Sequence, residues 1–115
     1  MPYLLLIIEP QGQRRQRSTA EGQALYQSML EYAGALKERG VLMAVESLRE
    51  EGVRLNVEAG RTRVVDGPFA ESKELVGGFF LLRCESRDEA LRLASECPAA
   101  QWATVEVRET GPCFL

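Results

Sequence analysis

Four ionisable side chains lie close together in one short stretch of the sequence. They are Asp66, Glu71, Lys73 and Glu74, in the run Asp-Gly-Pro-Phe-Ala-Glu-Ser-Lys-Glu. Neighbouring carboxylates beside an amine can hold and transfer a proton near neutral pH, as general acid–base chemistry requires. In that interpretation Asp66 is the base, Lys73 stabilises developing negative charge, and one glutamate exchanges the proton. The alternative is a rigid turn whose charged side chains are solvated.

The same stretch has the features of a sharp turn. Gly67 precedes Pro68, whose ring fixes its own φ, and Phe69 is the large apolar residue expected to anchor the loop. Gly77–Gly78 follow, where the backbone can approach another part of the molecule closely. Asp66 ends a predicted strand, so its carboxylate either caps this turn or lines a pocket.

The chain contains no histidine. This excludes the Ser-His-Asp and Cys-His arrangements and the commonest zinc and iron ligand sets. Acid–base chemistry therefore depends on carboxylates, lysine, tyrosine or cysteine. The three cysteines, Cys84, Cys97 and Cys113, form no CxxC pair or zinc spacing, and we interpret them as small hydrophobes, with Cys113 the more exposed. No metal or cofactor is predicted.

Hydrophobic patterning predicts the elements that must position these residues. The apolar run Tyr3–Ile8 predicts a strand buried on both faces. Ser18 and Glu21 have the spacing of a capping box, which predicts a helix from about Thr19 to Arg39 that stops at Gly40. The other predicted elements are the strand Val41–Leu48, the hairpin Val53–Val57 with Arg61–Asp66, the strand Gly77–Cys84, a helix from Ser86 to Cys97, and the strand Ala103–Arg108.

Two polar features of the first half have open interpretations. The basic run Gln13–Arg17 suggests an anion-binding patch, but a solvated loop is favoured in a net-acidic protein. Tyr26 and Tyr32, on the first helix, are candidate phenol donors, although core packing is expected for both.

The predicted order is β-α-β, hairpin, β-α-β. Two helices on one face of a largely antiparallel sheet make a ferredoxin-like α+β sandwich with a β-hairpin insertion. That architecture leaves the opposite sheet face uncovered, although the strand Tyr3–Ile8 is apolar on both sides. A second copy of the chain is the simplest cover, so we expect a homodimer.

Length and composition limit the class of protein. The chain has 115 residues, of which 45% are hydrophobic and 27% charged, and we expect one domain over 1–115. Its net charge of −3 argues against nucleic-acid binding driven by phosphate neutralisation. No apolar run approaches the ~18 residues needed to cross a bilayer, and no signal peptide is recognised. A cytoplasmic protein is expected.

The run from Asp66 to Glu74, with Gly77–Gly78–Phe79 after it, resembles the motif of the DGPF branch of the YCII-related family. Further similarity extends over nearly the whole chain, from Tyr3–Ile7 to Thr104–Arg108. The resemblance implies a dimeric α+β barrel. For relatives that act on small chlorinated aromatics the resemblance implies a His–Asp pair at the site; Asp66 is the position to compare with the acidic residue, whereas the histidine has no counterpart here.

Two function hypotheses follow from the residues and from this resemblance. The first is a lyase- or isomerase-like enzyme that performs acid–base chemistry on a small organic acid or aromatic compound in a dimer cleft. The second is a non-enzymatic ligand-binding or regulatory protein, since the DGPF branch is associated with extracytoplasmic-function sigma factors. In the second case the tail Gly111–Leu115 is a docking segment, unless it packs on its own domain or on a partner copy.

Overall fold

A computed structural model describes residues 1–67, 69 and 71–114. The predicted Gly–Pro turn includes Pro68, which with Ala70 and Leu115 lies outside the described residues. The described elements are the strands β1 Pro2–Pro10, β2 Leu42–Ser47, β3 Val53–Glu58, β4 Arg61–Asp66, β5 Glu74–Arg83 and β6 Thr104–Glu109, the helices α1 Thr19–Glu38 and α2 Arg87–Ser95, and the 3₁₀ turns η1 Gln13–Gln16 and η2 Pro98–Gln101.

Four strands form an antiparallel sheet in the order β2-β5-β1-β6, and β3 pairs with β4 in a separate hairpin. The first strand is therefore central, with Leu5 opposite Phe80 on one side and Val107 on the other. This order, with two helices, confirms the predicted ferredoxin-like α+β sandwich with an inserted hairpin. The assignment of 1–115 to one domain remains a prediction.

Alternate residues of β1 form the floor of the hydrophobic core. Tyr3, Leu5 and Ile7 are buried and cluster with Leu36 of α1 and Leu93 of α2. Because successive side chains of a strand point to opposite faces, these three residues lie on the face that the helices cover.

The intervening residues of β1 lie on the other face of the sheet. Leu4, Leu6 and Ile8 are only half-buried, as are their neighbours Phe79 and Leu81 of β5. The expectation that this strand is buried on both faces is therefore incorrect for the single chain, because the helices cover one face alone. A stripe of five large apolar side chains is left partly exposed.

Both predicted helix starts are present. Ser18 Oγ accepts a hydrogen bond from the Glu21 N–H at 3.1 Å, and Glu21 Oε1 accepts one from the Ser18 N–H at 3.0 Å, which lowers the pKa of the Glu21 carboxyl. Gly40, at φ +73°, ends this helix as predicted. In α2 Ser86 and Glu89 have the same spacing, and the Glu89 N–H donates to Ser86 Oγ at 3.1 Å, but the Glu89 carboxylate accepts from the Glu85 N–H rather than the Ser86 N–H, so the capping box expected from that spacing is only half formed.

The β3–β4 hairpin contributes no buried residue. Its turn residues Ala59–Gly60 both have positive φ, as the two-residue hairpin turn requires. Along one face, Val53, Leu55, Val57 and Val64 are between 58% and 64% exposed. Since an isolated two-stranded hairpin is marginally stable in water, this apolar face is expected to be covered by another surface.

The burial of the three cysteines agrees with the prediction from the sequence. Cys84 and Cys97 are buried, and burial raises the pKa of both thiols, which confirms them as inert core residues. Cys113 is exposed, and Phe114 beside it is 83% exposed, so this part of the tail does not pack on its own domain. Neither described helix is long and apolar enough to span a membrane.

Replacing Tyr32 with phenylalanine should lower the free energy of unfolding by about 0.5–1.5 kcal/mol at neutral pH. The Tyr32 hydroxyl donates to the Leu93 carbonyl at 2.6 Å inside the core, and phenylalanine keeps the edge-on contact with Phe80 but loses this bond. Urea denaturation measures the difference, with Tyr26→Phe as a control at an exposed position.

The difference in the free energy of unfolding between wild type and Tyr32→Phe should depend on pH. Burial raises the pKa of Tyr32 above its ordinary value of 10.0. The contribution of the Tyr32 hydroxyl to the free energy of unfolding is therefore fully present below pH 10. It declines as the pH rises further, because only the tyrosine of the unfolded chain ionises readily. The difference between wild type and Tyr32→Phe should narrow above pH 10; a constant difference would contradict the buried hydroxyl.

Candidate functional site

An open cleft of about 490 Å³ separates the N-terminal half of α1 from the sheet. The buried residues of α1, Tyr32 and Leu36, both belong to its C-terminal half. The N-terminal half is therefore less closely packed, and Gly22 adds space there because it has no side chain. Its apolar wall includes Leu25, Tyr26, Met29, Leu30 and Phe80.

Tyr26 differs from its prediction. It is 54% exposed and lines the cleft, whereas core packing was expected for it. The reason is that Tyr26 lies on the N-terminal half of α1, which the cleft separates from the sheet. Tyr32, six residues later, lies on the C-terminal half, which is packed. Tyr32 is in the core as predicted.

An ion pair between a buried carboxylate and a half-buried guanidinium closes one end of the cleft. Glu9 is only 6% exposed, although it is charged. Arg14 binds its carboxylate through two nitrogens: Nε lies 2.6 Å from Oε1, and Nη2 lies 3.3 Å from Oε2. Both residues line the cleft. This two-point contact offsets the desolvation of the carboxylate, which would otherwise be costly.

Gly77 makes room for the Glu9 carboxylate. An added Cβ at Gly77 would overlap Glu9 Oε2, so no other residue fits without displacement. The Gly77 carbonyl also accepts a hydrogen bond from Arg14 Nη2 at 3.4 Å. Gly77 lies at an irregularity where β5 shifts register against β1, between Ile7 and Ile8. The predicted close backbone approach at Gly77–Gly78 is confirmed, and its partners are the Glu9 carboxylate and the Glu46 carbonyl.

A second arginine lies near this end of the cleft. Arg17 Nη2 donates to Gln13 Oε1 at 2.9 Å, and Gln13 Nε2 donates to the Trp102 carbonyl at 2.8 Å. The Arg17 guanidinium carbon lies 5.9 Å from the centre of the Trp102 ring. The run Gln13–Arg17 is thus not a solvated loop. It is largely the 3₁₀ turn η1, held to the sheet by Arg14 and to the Trp102 region by Gln13.

The four residues predicted as catalytic do not line this cleft. Asp66 is exposed at the end of β4, Glu71 and Lys73 are exposed between the strands, and Glu74 is the first residue of β5 rather than part of a loop. Among the described residues, the Asp66 carboxylate accepts no hydrogen bond. Their assignment as site residues remains a prediction.

Backbone pairing brings part of the motif to the same end of the sheet as Glu9. The Lys73 carbonyl accepts a hydrogen bond from the Gln11 N–H at 2.9 Å, and Glu74 pairs with Pro10. In the part of the chain that the structure describes, Asp66 and Glu71 make no such backbone pairing with β1. The structure therefore brings Lys73 and Glu74 near β1, whereas Asp66 lies at the end of the hairpin strand β4.

Phe69 anchors the motif, as predicted, by packing against Arg54 of the β3–β4 hairpin. The Arg54 guanidinium carbon lies 3.8 Å from the centre of the Phe69 ring, and Arg54 Nη2 donates to Ser72 Oγ at 3.2 Å. The Gly67 N–H bonds to the Gly52 carbonyl at 2.8 Å. These contacts fix the motif to β3 and to the residue before it.

Glu9 is the site residue that the sequence analysis missed. The available signal is its place in the alternation Tyr3, Leu5, Ile7, Glu9, which puts a carboxylate in phase with three core residues. For a metal, the described part of the chain offers no group of three or more suitable acidic or cysteine side chains. The arrangement is suited to proton transfer and anion recognition by side chains alone.

Among solved structures, the fold of this chain is similar to that of a dehydrochlorinase. The 5-chloro-2-hydroxyhydroquinone dehydrochlorinase (TftG) from Burkholderia phenoliruptrix AC1100, in complex with 2,5-dihydroxybenzoquinone, is similar with a TM-score of 0.53 and 20% sequence identity. The match covers 96% of this chain and 94% of that chain. At this level of identity the similarity shows a shared fold.

Comparison of sequences gives the family. An uncharacterized protein of Rhizobium meliloti (strain 1021) is 50% identical over 50 residues, and the matched stretch spans 44% of this chain and 40% of that protein. The family model of the YCII-related domain matches residues 1–112. Because that match covers nearly all of the sequence, the chain belongs to the YCII-related family.

Proposed function

We propose that this protein takes a small organic acid or aromatic compound into the cleft between α1 and the sheet, and acts on it by acid–base chemistry. One observation carries the proposal: a cleft of about 490 Å³ with an apolar wall ends at the ion pair of the buried Glu9 with Arg14. Pockets for small molecules generally combine such a volume with apolar walls and a few convergent polar groups.

Glu9 is the acid–base group that the cleft offers. Arg14 holds the Glu9 carboxylate in place at the end of the cleft, where it can take a proton from a carbon or hydroxyl of the bound ligand. The proton then lies on Glu9, and the Arg14 guanidinium remains beside the negative charge left on the ligand. This division of roles needs no histidine.

The motif residues are the alternative set of acid–base groups. Asp66 as base, Lys73 as the stabilising cation and Glu71 or Glu74 as proton partner remain a prediction from the sequence. The pairing of Lys73 and Glu74 with the end of β1 supports their access to a ligand near Glu9. The name and bound ligand of the dehydrochlorinase with the same fold support a small aromatic substrate class.

A homodimer is part of the proposal. The partly exposed stripe of Leu4, Leu6, Ile8, Phe79 and Leu81 gives a second copy an apolar sheet face to pack against. The exposed apolar face of the β3–β4 hairpin would then also be available to the partner copy. A cytoplasmic location remains a prediction, supported by three cysteines that form no disulfide with one another.

A non-enzymatic ligand-binding or regulatory protein, with the sigma-factor association of the DGPF branch, is the second candidate. The exposed apolar face of the hairpin favours it, because such a face also suits a protein partner. The two candidates differ in turnover: a regulatory protein binds a ligand in the cleft and releases it unchanged.

Replacing Gly22 with leucine should close the cleft and leave the fold intact. Gly22 lines the cleft, and an added Cβ there meets no atom within 4 Å. Since glycine costs a helix about 1 kcal/mol, the variant should be more stable than wild type and yet lose its response to ligands. A thermal-shift screen against small carboxylic acids, phenols and halogenated aromatics measures both effects.

Gly34→Leu is the matched control, because Gly34 is an exposed glycine of the same helix that does not line the cleft. It should gain similar stability and keep the ligand response. A ligand at 100 times its Kd adds about 2.7 kcal/mol, or several degrees in Tm. If Gly22→Leu responds like wild type, or if no compound in the screen stabilises wild type, the cleft is not the binding site.

Substitution at Glu9 and at Asp66 should separate the two acid–base assignments. We expect Glu9→Gln to lower turnover of the compound that wild type converts by about 10²-fold or more, since amides do not accept the proton. Asp66→Asn, at an exposed position, should keep most of the activity. Steady-state kinetics with denaturation curves for each variant make the comparison; the reverse pattern would assign the chemistry to the motif.

The homodimer predicts a solution mass of twice 12.8 kDa. Light scattering at micromolar concentration should give that mass for wild type and half of it for Leu6→Lys, which places a charge in the apolar stripe. Gln27→Lys adds the same charge at an exposed position of α1, on the other side of the sheet, and as the control it should remain dimeric. A monomeric wild type would rule out the dimer.

A further inference from the structure

We propose that the ligand of the cleft carries a single carboxylate group and that Arg17 is the residue that selects it. This inference rests on the proposed function, since it names the chemical class of the molecule that enters the same cleft. Arg17 belongs neither to the motif nor to the Glu9–Arg14 pair, so the proposed function leaves its role open.

The charges at this end of the cleft are unequal. The Arg14 guanidinium is neutralised by Glu9, with which it makes two contacts. Arg17 lines the same cleft but, among the residues that the structure describes, it forms no ion pair with a carboxylate. Its hydrogen-bond partner is the neutral amide of Gln13. Arg17 is therefore the guanidinium of the cleft that no described carboxylate pairs with.

Two carboxylates near Arg17 have other roles. Glu21 accepts the Ser18 N–H at 3.0 Å in the capping box of α1. Glu46 lines the cleft, but it lies in register with Phe79, whose partner on β1 is Leu6, so its side chain belongs to the sheet face away from the helices. The hydrogen bonds with Ser18 and, less strongly, the charge of Arg17 lower the pKa of the Glu21 carboxyl, yet among the described residues neither acid forms an ion pair with Arg17.

The position of Arg17 is fixed before any ligand binds. Gln13 links it to the Trp102 carbonyl through two hydrogen bonds of 2.9 Å and 2.8 Å, and the Trp102 ring lies beneath the guanidinium. A guanidinium held in this way loses little conformational entropy on binding, which favours specific recognition.

The neighbouring polar groups are also suited to an acceptor. The hydroxyls of Ser18 and Thr19 lie at the same end of the cleft. Ser18 Oγ already accepts the Glu21 N–H, so its own O–H remains to donate. One unneutralised guanidinium with hydroxyl donors matches a carboxylate of one negative charge, and the wall formed by Tyr26, Met29 and Leu30 matches an apolar or aromatic body.

Titrations with benzoate and with benzamide test the charge preference, because the two have nearly the same shape and differ in charge. Backbone amide chemical shifts in NMR spectra follow the binding of each probe to the full chain. We expect wild type to bind benzoate at least about tenfold more tightly than benzamide, as for a hydrogen bond to a charged group. Added salt should weaken benzoate binding alone.

The variants Arg17→Gln and Arg15→Gln separate a specific contact from a general effect of charge. They remove the same charge two residues apart, and Arg15 is exposed and does not line the cleft. Arg17→Gln should lose the preference for benzoate. Its affinity for benzamide should be the same as that of wild type, which would show that the cleft is intact. Arg15→Gln should behave like wild type.

Each other outcome overturns a defined part of the argument. Equal affinity of wild type for the two probes, or equal losses in the two variants, removes Arg17 as the selecting residue and leaves the cleft as a ligand site. If neither probe binds, or if Gly22→Leu binds both as well as wild type, the proposed function fails together with this inference.

Discussion

The burial of one carboxylate constrains much of this structure. Glu9 extends the core face of β1, where an ionised group is stable only with a close counter-charge. Arg14 supplies that charge and thereby ties η1 to the sheet, while the absence of a side chain at Gly77 makes the space. The polar end of the cleft, the start of β5 and the end of the motif are therefore positioned by a single local requirement.

The elements of the fold were predictable because their signals are local. The Ser18–Glu21 box, the stop at Gly40 and the hairpin of Val53–Val57 with Arg61–Asp66 each depend on a few neighbouring residues, and all three are present as predicted. The strand order follows from the same elements once two helices must share one face of the sheet. The burial of β1 was less predictable, because an apolar run does not reveal which of its faces a single chain can cover.

The candidate site was much harder to predict, since its members meet through tertiary packing. Arg14 belongs to a basic run that resembles a solvated loop, and its role depends on a carboxylate five residues earlier on a different element. The motif attracted attention through its density of charge, yet Arg54 and Phe69 attach it to a hairpin whose place in the molecule is not encoded locally. Tyr26 and Tyr32 are identical in type and share a helix, and the sequence does not show that Tyr26 lines the cleft whereas Tyr32 is buried.

The central position of β1 has a consequence for how the molecule folds. Its neighbours β5 and β6 are formed by the last half of the chain, and Tyr3 pairs with Glu109, while the Pro2 carbonyl accepts from the Thr110 N–H at 3.0 Å. Closing such long loops is entropically unfavourable and slows folding. During synthesis β1 therefore leaves the ribosome well before β5 and β6, so its apolar residues are exposed to aggregation and to chaperones until those strands follow.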